Sequence, residues 1–441
     1  MPRSAPLAAT VAVVVVVLVA GCTVAPPAGT DSSLGNFAGR TLEVVATWSG
    51  AEQANFRAAL DEFERRTHAT VKYTSGGTDI AVLINSQLAG GKPPDIAFLP
   101  QPGVVTELAR RGVLTPIAGA AAEALRHNYS PAWQRLGTVD GQLYGLYFKV
   151  ANKSVIWYNT EAFAEAGVHP PSTWEQLDDV SRTLTEAGIT PMATAGADGW
   201  VLTDWFENAY LRIAGPDRYD QLARHELPWT DPTVVATLRL LADYWRTPKY
   251  VDGGSTGADQ LSFTQAVAEV FGARPTTAMI AEGDFVASEI RKLDRVTVGE
   301  GARFFPWPAI NSSPPAVVTA GDQGVMFRDT PEANALMTFL ASTDAARIMA
   351  SQGGFLSANR NLDAASYPDD TTRELAAEVV DTDMLRFDLS DLTPQAFGGG
   401  SSAHMWVLLQ NFLSGDSTPE EVAAQLESAA TADFGASGGS A

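Results

Sequence analysis

The chain has 441 residues, 45% of them apolar, which fits two folded units and excludes a disordered protein. Its 30 basic and 51 acidic residues leave a net charge of −21, the wrong sign for a nucleic-acid partner, which needs a positive surface. The lone cysteine, Cys22, excludes an internal disulfide and a cysteine-type zinc site.

Leu7 to Ala20 is a valine-rich apolar run behind Arg3. As a helix it would reach about 21 Å, short of the roughly 30 Å hydrocarbon core of a bilayer. It reads as a secretory signal rather than a membrane span. Leu18-Val-Ala-Gly-Cys22 resembles a bacterial lipobox, which implies cleavage before Cys22 and lipid attachment to its thiol. The alternative is an ordinary secretory cleavage site with an incidental free thiol. The position of the only cysteine favours the anchor. Thr23–Asn36, rich in Pro, Gly, Ser and Thr, reads as a flexible tether.

Thr41–Trp48 has the β-branched content of a strand. Ser49 and Glu52 follow in capping-box spacing, and Phe56, Leu60 and Phe63 recur at helical intervals. Val71–Tyr73 reads as a second strand, Ile80–Leu88 as a helix, Gly90–Pro94 as a turn and Asp95–Leu99 as a buried strand. This alternation predicts a parallel α/β sheet. Gly141–Tyr158 reads as extended structure broken by small turns. Thr173 and Gln176 then repeat the capping-box spacing ahead of a helix with Leu177, Val180 and Leu184 on one face. Thr330-Pro331-Glu332 and Thr418-Pro419-Glu420 are N-caps with proline at the first helical position. The Gly-, Ser- and Ala-rich end after Thr431 predicts fraying.

The sequence has no Gly-x-x-x-x-Gly-Lys-Ser/Thr loop, no Gly-x-Ser-x-Gly and no His-Glu-x-x-His, and its five histidines are scattered. Neither an ATPase, a serine hydrolase nor a histidine-based metal site is supported. The expectation is no enzyme, no cofactor and no metal.

Seven blocks, in order, carry a resemblance. They are Trp48–Phe56, Gly90-Gly-Lys-Pro-Pro-Asp-Ile-Ala-Phe-Leu-Pro-Gln-Pro-Gly103, Gly141–Lys149, Lys153–Asn159, Pro171–Leu177, Gly199-Trp-Val-Leu-Thr-Asp-Trp205 and Gly353–Arg360. Together they resemble the substrate-binding proteins of bacterial carbohydrate ABC transporters, extracellular solute-binding protein family 1, and most of all the alpha-glucoside-binding branch. The resemblance implies a two-lobed α/β fold of the periplasmic-binding-protein type (class II), hinged around an interlobe cleft. The implied division is a signal peptide over 1–21, a lipid-anchored linker over 22–40, lobe 1 over 41–150 and 314–356, lobe 2 over 151–313 and 357–432, and a disordered tail over 433–441. It also implies a monomer, tethered outside the cytoplasm, that hands a neutral di- or oligosaccharide containing glucose to permease subunits.

A sugar ring offers an apolar C–H face and a rim of hydroxyls, so its site needs aromatic plates and clustered planar polar groups. Residues of those types stand at predicted loop positions: Trp48, Glu52, Gln101, Trp200, Asp204, Trp205, Glu282, Asp284, Asp322, Phe355 and Arg360. Each also has a plainer role. Trp48 could be core, Glu52 a helix cap, and Gln101 a support for its own loop. Trp200, Asp204 and Trp205 could open a helix, where a carboxylate is favoured in any case. Glu282 and Asp284 could form a solvated turn, Phe355 hinge packing and Arg360 a surface ion pair. Trp174 reads as packing at a helix start, and Lys149 as a partner for a neighbouring carboxylate. Two other functions share this pattern. One is a glycosidase using Glu282 with Asp204; the other is a binding protein for a glycerophosphodiester, drawing on Arg360 and Lys149.

Overall fold

The computed structural model describes residues 1–2, 34–77, 79–381, 384–415 and 417–438. The signal segment, the lipobox with Cys22 and residues 439–441 lie outside them. Among the described residues no helix is long and apolar enough to cross a membrane.

Twelve strands are found among the described residues. In chain order they are β1 (Thr41–Ala46), β2 (Thr70–Ser75), β3 (Ile96–Leu99), β4 (Thr138–Val139), β5 (Gln142–Leu143), β6 (Leu146–Asn152), β7 (Val155–Asn159), β8 (Thr190–Ala193), β9 (Thr277–Ala281), β10 (Ala302–Pro306), β11 (Val317–Met326) and β12 (Leu385–Phe387). Alternating burial along β1 sends Val44 into the main core and Val45 to a smaller cluster on the opposite face. The helix Gly50–Thr67 buries Phe56, Leu60 and Phe63 at the predicted spacing. It carries the chain across to β2, parallel to β1. β3 pairs parallel on the other side of β1. β11 then adds antiparallel to β3 and to β6, and parallel to β12, which completes a six-stranded sheet. β10, β7, β9 and β8 form a separate four-stranded sheet, and β4 and β5 a short ribbon.

The two larger sheets define two lobes, with three chain passages between them. The first is Lys153–Ser154, linking β6 directly to β7, and the second is the stretch 307–316 between β10 and β11. The third comes after Phe387, later than the position near Ser357 implied by the resemblance. The reason is that β12 pairs with Val317–Thr319 at the start of β11, which keeps the chain on the first sheet until then.

Local signals resolved unevenly. Thr330 caps Ala333 N as expected, and Thr418 and Glu421 form a reciprocal capping box. Thr173 accepts from Gln176 N, while the Gln176 amide oxygen turns to Ser172 instead. Ser49 makes no side-chain cap, and Glu52, drawn to Lys149, does not return a bond to it. The final helix, Pro419–Gly438, runs on past Thr431, where the composition predicts fraying; the His404 ring holds Asp433 at 2.7 Å.

Candidate functional site

Buried polar residues gather where the two sheets face each other. On the first-lobe side, the chain leaves β1 at Thr47 and Trp48. The Trp48 indole packs against Phe56 and Phe98, at centroid distances of 4.8 and 5.2 Å. Its Nε1–H donates to Asp322 Oδ2 at 3.1 Å, and Thr47 Oγ1 donates to the other oxygen at 3.3 Å. Asp322 pairs in register with Lys149 of β6, and a β-bulge follows at once, between Asp322 and Gln323. Bulges interrupt the strict alternation of faces and re-aim side chains. Lys149 Nζ lies 2.5 Å from Glu52 and 5.9 Å from the centre of the Trp48 ring. Burial works against its charge, but Glu52 and Asp322 outweigh burial and hold the ammonium charged.

On the second-lobe side, Trp200 opens the helix Trp200–Ala214 and Asp204 stands one turn further on. Trp200 meets Phe263 at 5.4 Å and Phe285 at 5.8 Å. Lys153, at the first passage between lobes, lies 2.8 Å from Asp204, 2.6 Å from Asp388 and 5.6 Å from the Trp200 ring centre. β9 ends at Ala281 and delivers Glu282-Gly283-Asp284. The turn is fixed by Trp157 Nε1 donating to Gly283 O at 3.0 Å and by Asp284 Oδ1 accepting from Asn152 N at 2.7 Å. A Cβ on Gly283 would come within 2.5 Å of the Phe285 ring and 3.0 Å of Asn152 O, so the close approach requires glycine.

The carboxyl groups are unusual in number and burial. Burial is the largest cause raising the pKa values of Asp204, Glu207, Glu282, Asp284, Asp322 and Asp391. Asp284 is pushed up to about 7. Asp388 goes the other way: burial opposes its charge, but Lys153 and the donors Ser390 Oγ and Asp391 N outweigh it. Neutral and ionised carboxyls therefore stand side by side, offering both donors and acceptors.

Several buried polar atoms here have no hydrogen-bond partner in the protein: Gln101 Oε1, Tyr147 Oη, Asp204 Oδ2, Glu282 Oε1 and both amide atoms of Gln323. Each such atom costs roughly 1–3 kcal/mol unless something else satisfies it. Flat rings and unsatisfied amide, phenol and carboxyl groups are the chemistry that suits a polyhydroxylated guest.

Of the residues singled out from the sequence, Trp48, Glu52, Asp322, Trp200, Asp204, Glu282 and Asp284 fall in these two facing groups. Gln101 stands at the N-cap position of the helix Pro102–Arg110, makes no side-chain cap bond and is buried. Trp205 points elsewhere: it is fully buried against Tyr244, Trp245 and Trp307. Phe355 is buried with its ring 5.5 Å from Phe148. Arg360 donates to the carbonyl oxygens of Arg126 and His127, at a helix end. Glu282 and Asp284 are buried, not a solvated turn. Sequence reasoning passed over Lys153, Tyr147, Asp388 and Asp391, and noted Gln323 only as the neighbour of Asp322 between two glycines. Lys153 stood in a resembling block, but nothing local marked it as the cation between two carboxylates.

Asp204, Glu207 and Asp388 lie close enough together to suggest a metal cage. The Lys153 ammonium already supplies the positive charge to two of the three.

The sequence model described as bacterial extracellular solute-binding protein matches residues 47–347. The osmoprotective compounds-binding protein GgtB of Synechocystis sp. is 32% identical, covering 85% of this chain and 89% of its own. The alpha-glucosides-binding periplasmic protein AglE of Rhizobium meliloti is 30% identical, covering 87% and 86%. Among solved structures, the bacterial solute receptor AcbH superposes with a TM-score of 0.77 at 21% identity, over 89% of this chain and 99% of its own. The GacH receptor of Streptomyces glaucescens superposes with a TM-score of 0.74 at 17% identity, over 91% and 99%. These structural likenesses establish the two-lobed fold.

Proposed function

The chain belongs to the bacterial extracellular solute-binding protein family, and from that premise we propose that it captures a neutral sugar containing glucose, a di- or oligosaccharide, for a carbohydrate ABC importer. Its relatives include a protein named for binding alpha-glucosides. It is a receptor, not an enzyme: the guest leaves with every bond intact. The observation that carries the ligand class is the set of buried polar atoms without a partner in the protein, on Gln101, Tyr147, Asp204, Glu282 and Gln323, together with the Trp48 ring near Lys149 and the Trp200 ring near Lys153. Hydroxyl groups, each both donor and acceptor, match that set.

The charge balance argues against a glycerophosphodiester. Lys149 and Lys153 are already committed to Glu52, Asp204 and Asp388, and further carboxyls surround them. Among the described residues an added phosphate would meet no free cation beside Lys149 and Lys153. Closure rotates the lobes about the three chain passages and brings the Trp48 group onto the Trp200 group. Ligand binding stabilises the closed form by its differential affinity, and the closed form docks to the permease.

Titration calorimetry of the purified chain against maltose, trehalose, sucrose and glycerophosphocholine tests the reading. One-to-one binding of a neutral glucoside, with no monosaccharide released, supports it. Binding of glycerophosphocholine alone, or release of glucose, refutes it.

The same reading places the chain on the outer face of the cell membrane as a monomer, held by a lipid on Cys22. Wild-type protein made in a lipoprotein-processing host would partition into detergent, and Cys22→Ser would be released in soluble form. A wild-type chain that stays in the aqueous phase ends the anchor reading.

A further inference from the structure

At the hinge lies a cavity of about 770 Å³ whose lining includes neither Trp48 nor Trp200. Two of the chain passages build it: Ser154 comes from the first, and Trp307, Ala309 and Ser313–Ala316 from the second. Pro171, Pro306, Pro314 and Pro315 make much of its wall rigid and apolar. Arg212, from the helix Trp200–Ala214, closes one end and is only 6% exposed.

Arg212 is an odd residue to find there. Its guanidinium donates only to neutral oxygens, those of Asn208 and the Ala316 carbonyl, at 2.8 to 3.3 Å. No carboxylate lies within ion-pair distance among the described residues. A buried cation with no carboxylate in contact is costly, and burial, only partly offset by the more distant Glu378, lowers its pKa to about 9. Glu378, on the cavity wall, is engaged by the Asn152 amide at 2.8 Å and is driven towards its neutral form by burial. The indole Nε1 of Trp307 is also buried without a partner.

We infer that this hinge cavity is an effector site for a small monoanion with an apolar or aromatic body, its carboxylate or sulfonate meeting Arg212. The body would rest against the prolines and Trp307. A hydrogen-bond chain connects the cavity to the sugar cleft. Arg212 bonds Asn208, whose amide donates to the Lys153 and Asp204 carbonyls, and the Lys153 ammonium in turn holds the Asp204 carboxylate. Because two hinge passages wall the cavity, its shape differs between the open and closed lobes. A guest that fits one shape better shifts closure, and by linkage sugar affinity changes by the same factor as guest affinity.

The test uses 8-anilinonaphthalene-1-sulfonate and its uncharged analogue N-phenyl-1-naphthylamine in fluorescence titrations of the purified chain. The anion is expected to saturate one site per chain, at least tenfold tighter than the neutral analogue. Arg212→Met should erase that preference. Because Arg212 is buried and its variant could misfold, Ala309→Trp, which fills the cavity from its partly exposed rim, provides the second arm. It should abolish anion binding while calorimetry still detects sugar. An absence of saturable binding, or anion binding unchanged in a folded Ala309→Trp chain, overturns the proposal. So does sugar affinity that stays the same at saturating anion.

Discussion

Lys153 and Asp204 form a buried ion pair 2.8 Å long, joining the passage between lobes to the first turns of a second-lobe helix. Asp388 completes the pairing at 2.6 Å. Removing one partner of a buried pair leaves uncompensated charge, at a cost of about 3–5 kcal/mol. Lys153→Met should therefore lower unfolding stability by that order in urea titrations. A change under about 1 kcal/mol would mean the network carries little of the fold.

Trp200 and Trp205 are five residues apart and should part company. Trp200→Ala is expected to weaken sugar binding at least tenfold, about 1.4 kcal/mol, with modest loss of stability. Trp205→Ala empties a fully buried aromatic site and should cost about 3–5 kcal/mol of stability. Its folded fraction should keep most of its affinity. Calorimetry paired with thermal unfolding separates the two.

The Gln323 amide is buried with neither end bonded in the protein. Gln323→Leu removes an unsatisfied group from the free protein, so its stability should hold or rise by about 1 kcal/mol. Affinity for the sugar should fall about tenfold. Equal loss of both would make Gln323 a structural residue.

Asp284 supplies the pH dependence. Its folded pKa, about 7, lies above the ordinary aspartate value, so the folded chain holds a proton that the unfolded chain has lost. The resulting stability is full below the ordinary aspartate range and disappears as pH rises through 7. Asp204, Glu207, Glu282 and Asp391 shift in the same direction through burial. The ligand-free Tm should rise as pH falls from 8 to 5, and Asp284→Asn should flatten the slope. A Tm that falls steadily over that range contradicts the assignment.

The first α/β units were readable from residues 41–99 because hydrophobic period and turn chemistry agree there. Trp48 was legible as an aromatic residue just past a strand end, whereas Asp204 and Asp322 were legible by residue type only, since they lie inside a helix and a strand. Trp205 was misread because a one-residue step on a helix turns a side chain by about 100°. That step takes it from Asp204 beside Lys153 to a ring packed on Tyr244. Glu52 had the spacing of a cap, and a lysine 97 positions away captured it. The parts of the site that escaped, Lys153 and Asp388, owe their roles to partners far along the chain. Periodicity carries no record of such pairings.

The most direct measurement is a crystal structure of the chain grown with the neutral glucoside that calorimetry identifies. The account predicts a sugar between the Trp48 and Trp200 rings, its hydroxyls bonded to Gln323, Glu282 and Asp204. A sugar bound elsewhere, or rings that never approach it, would contradict it.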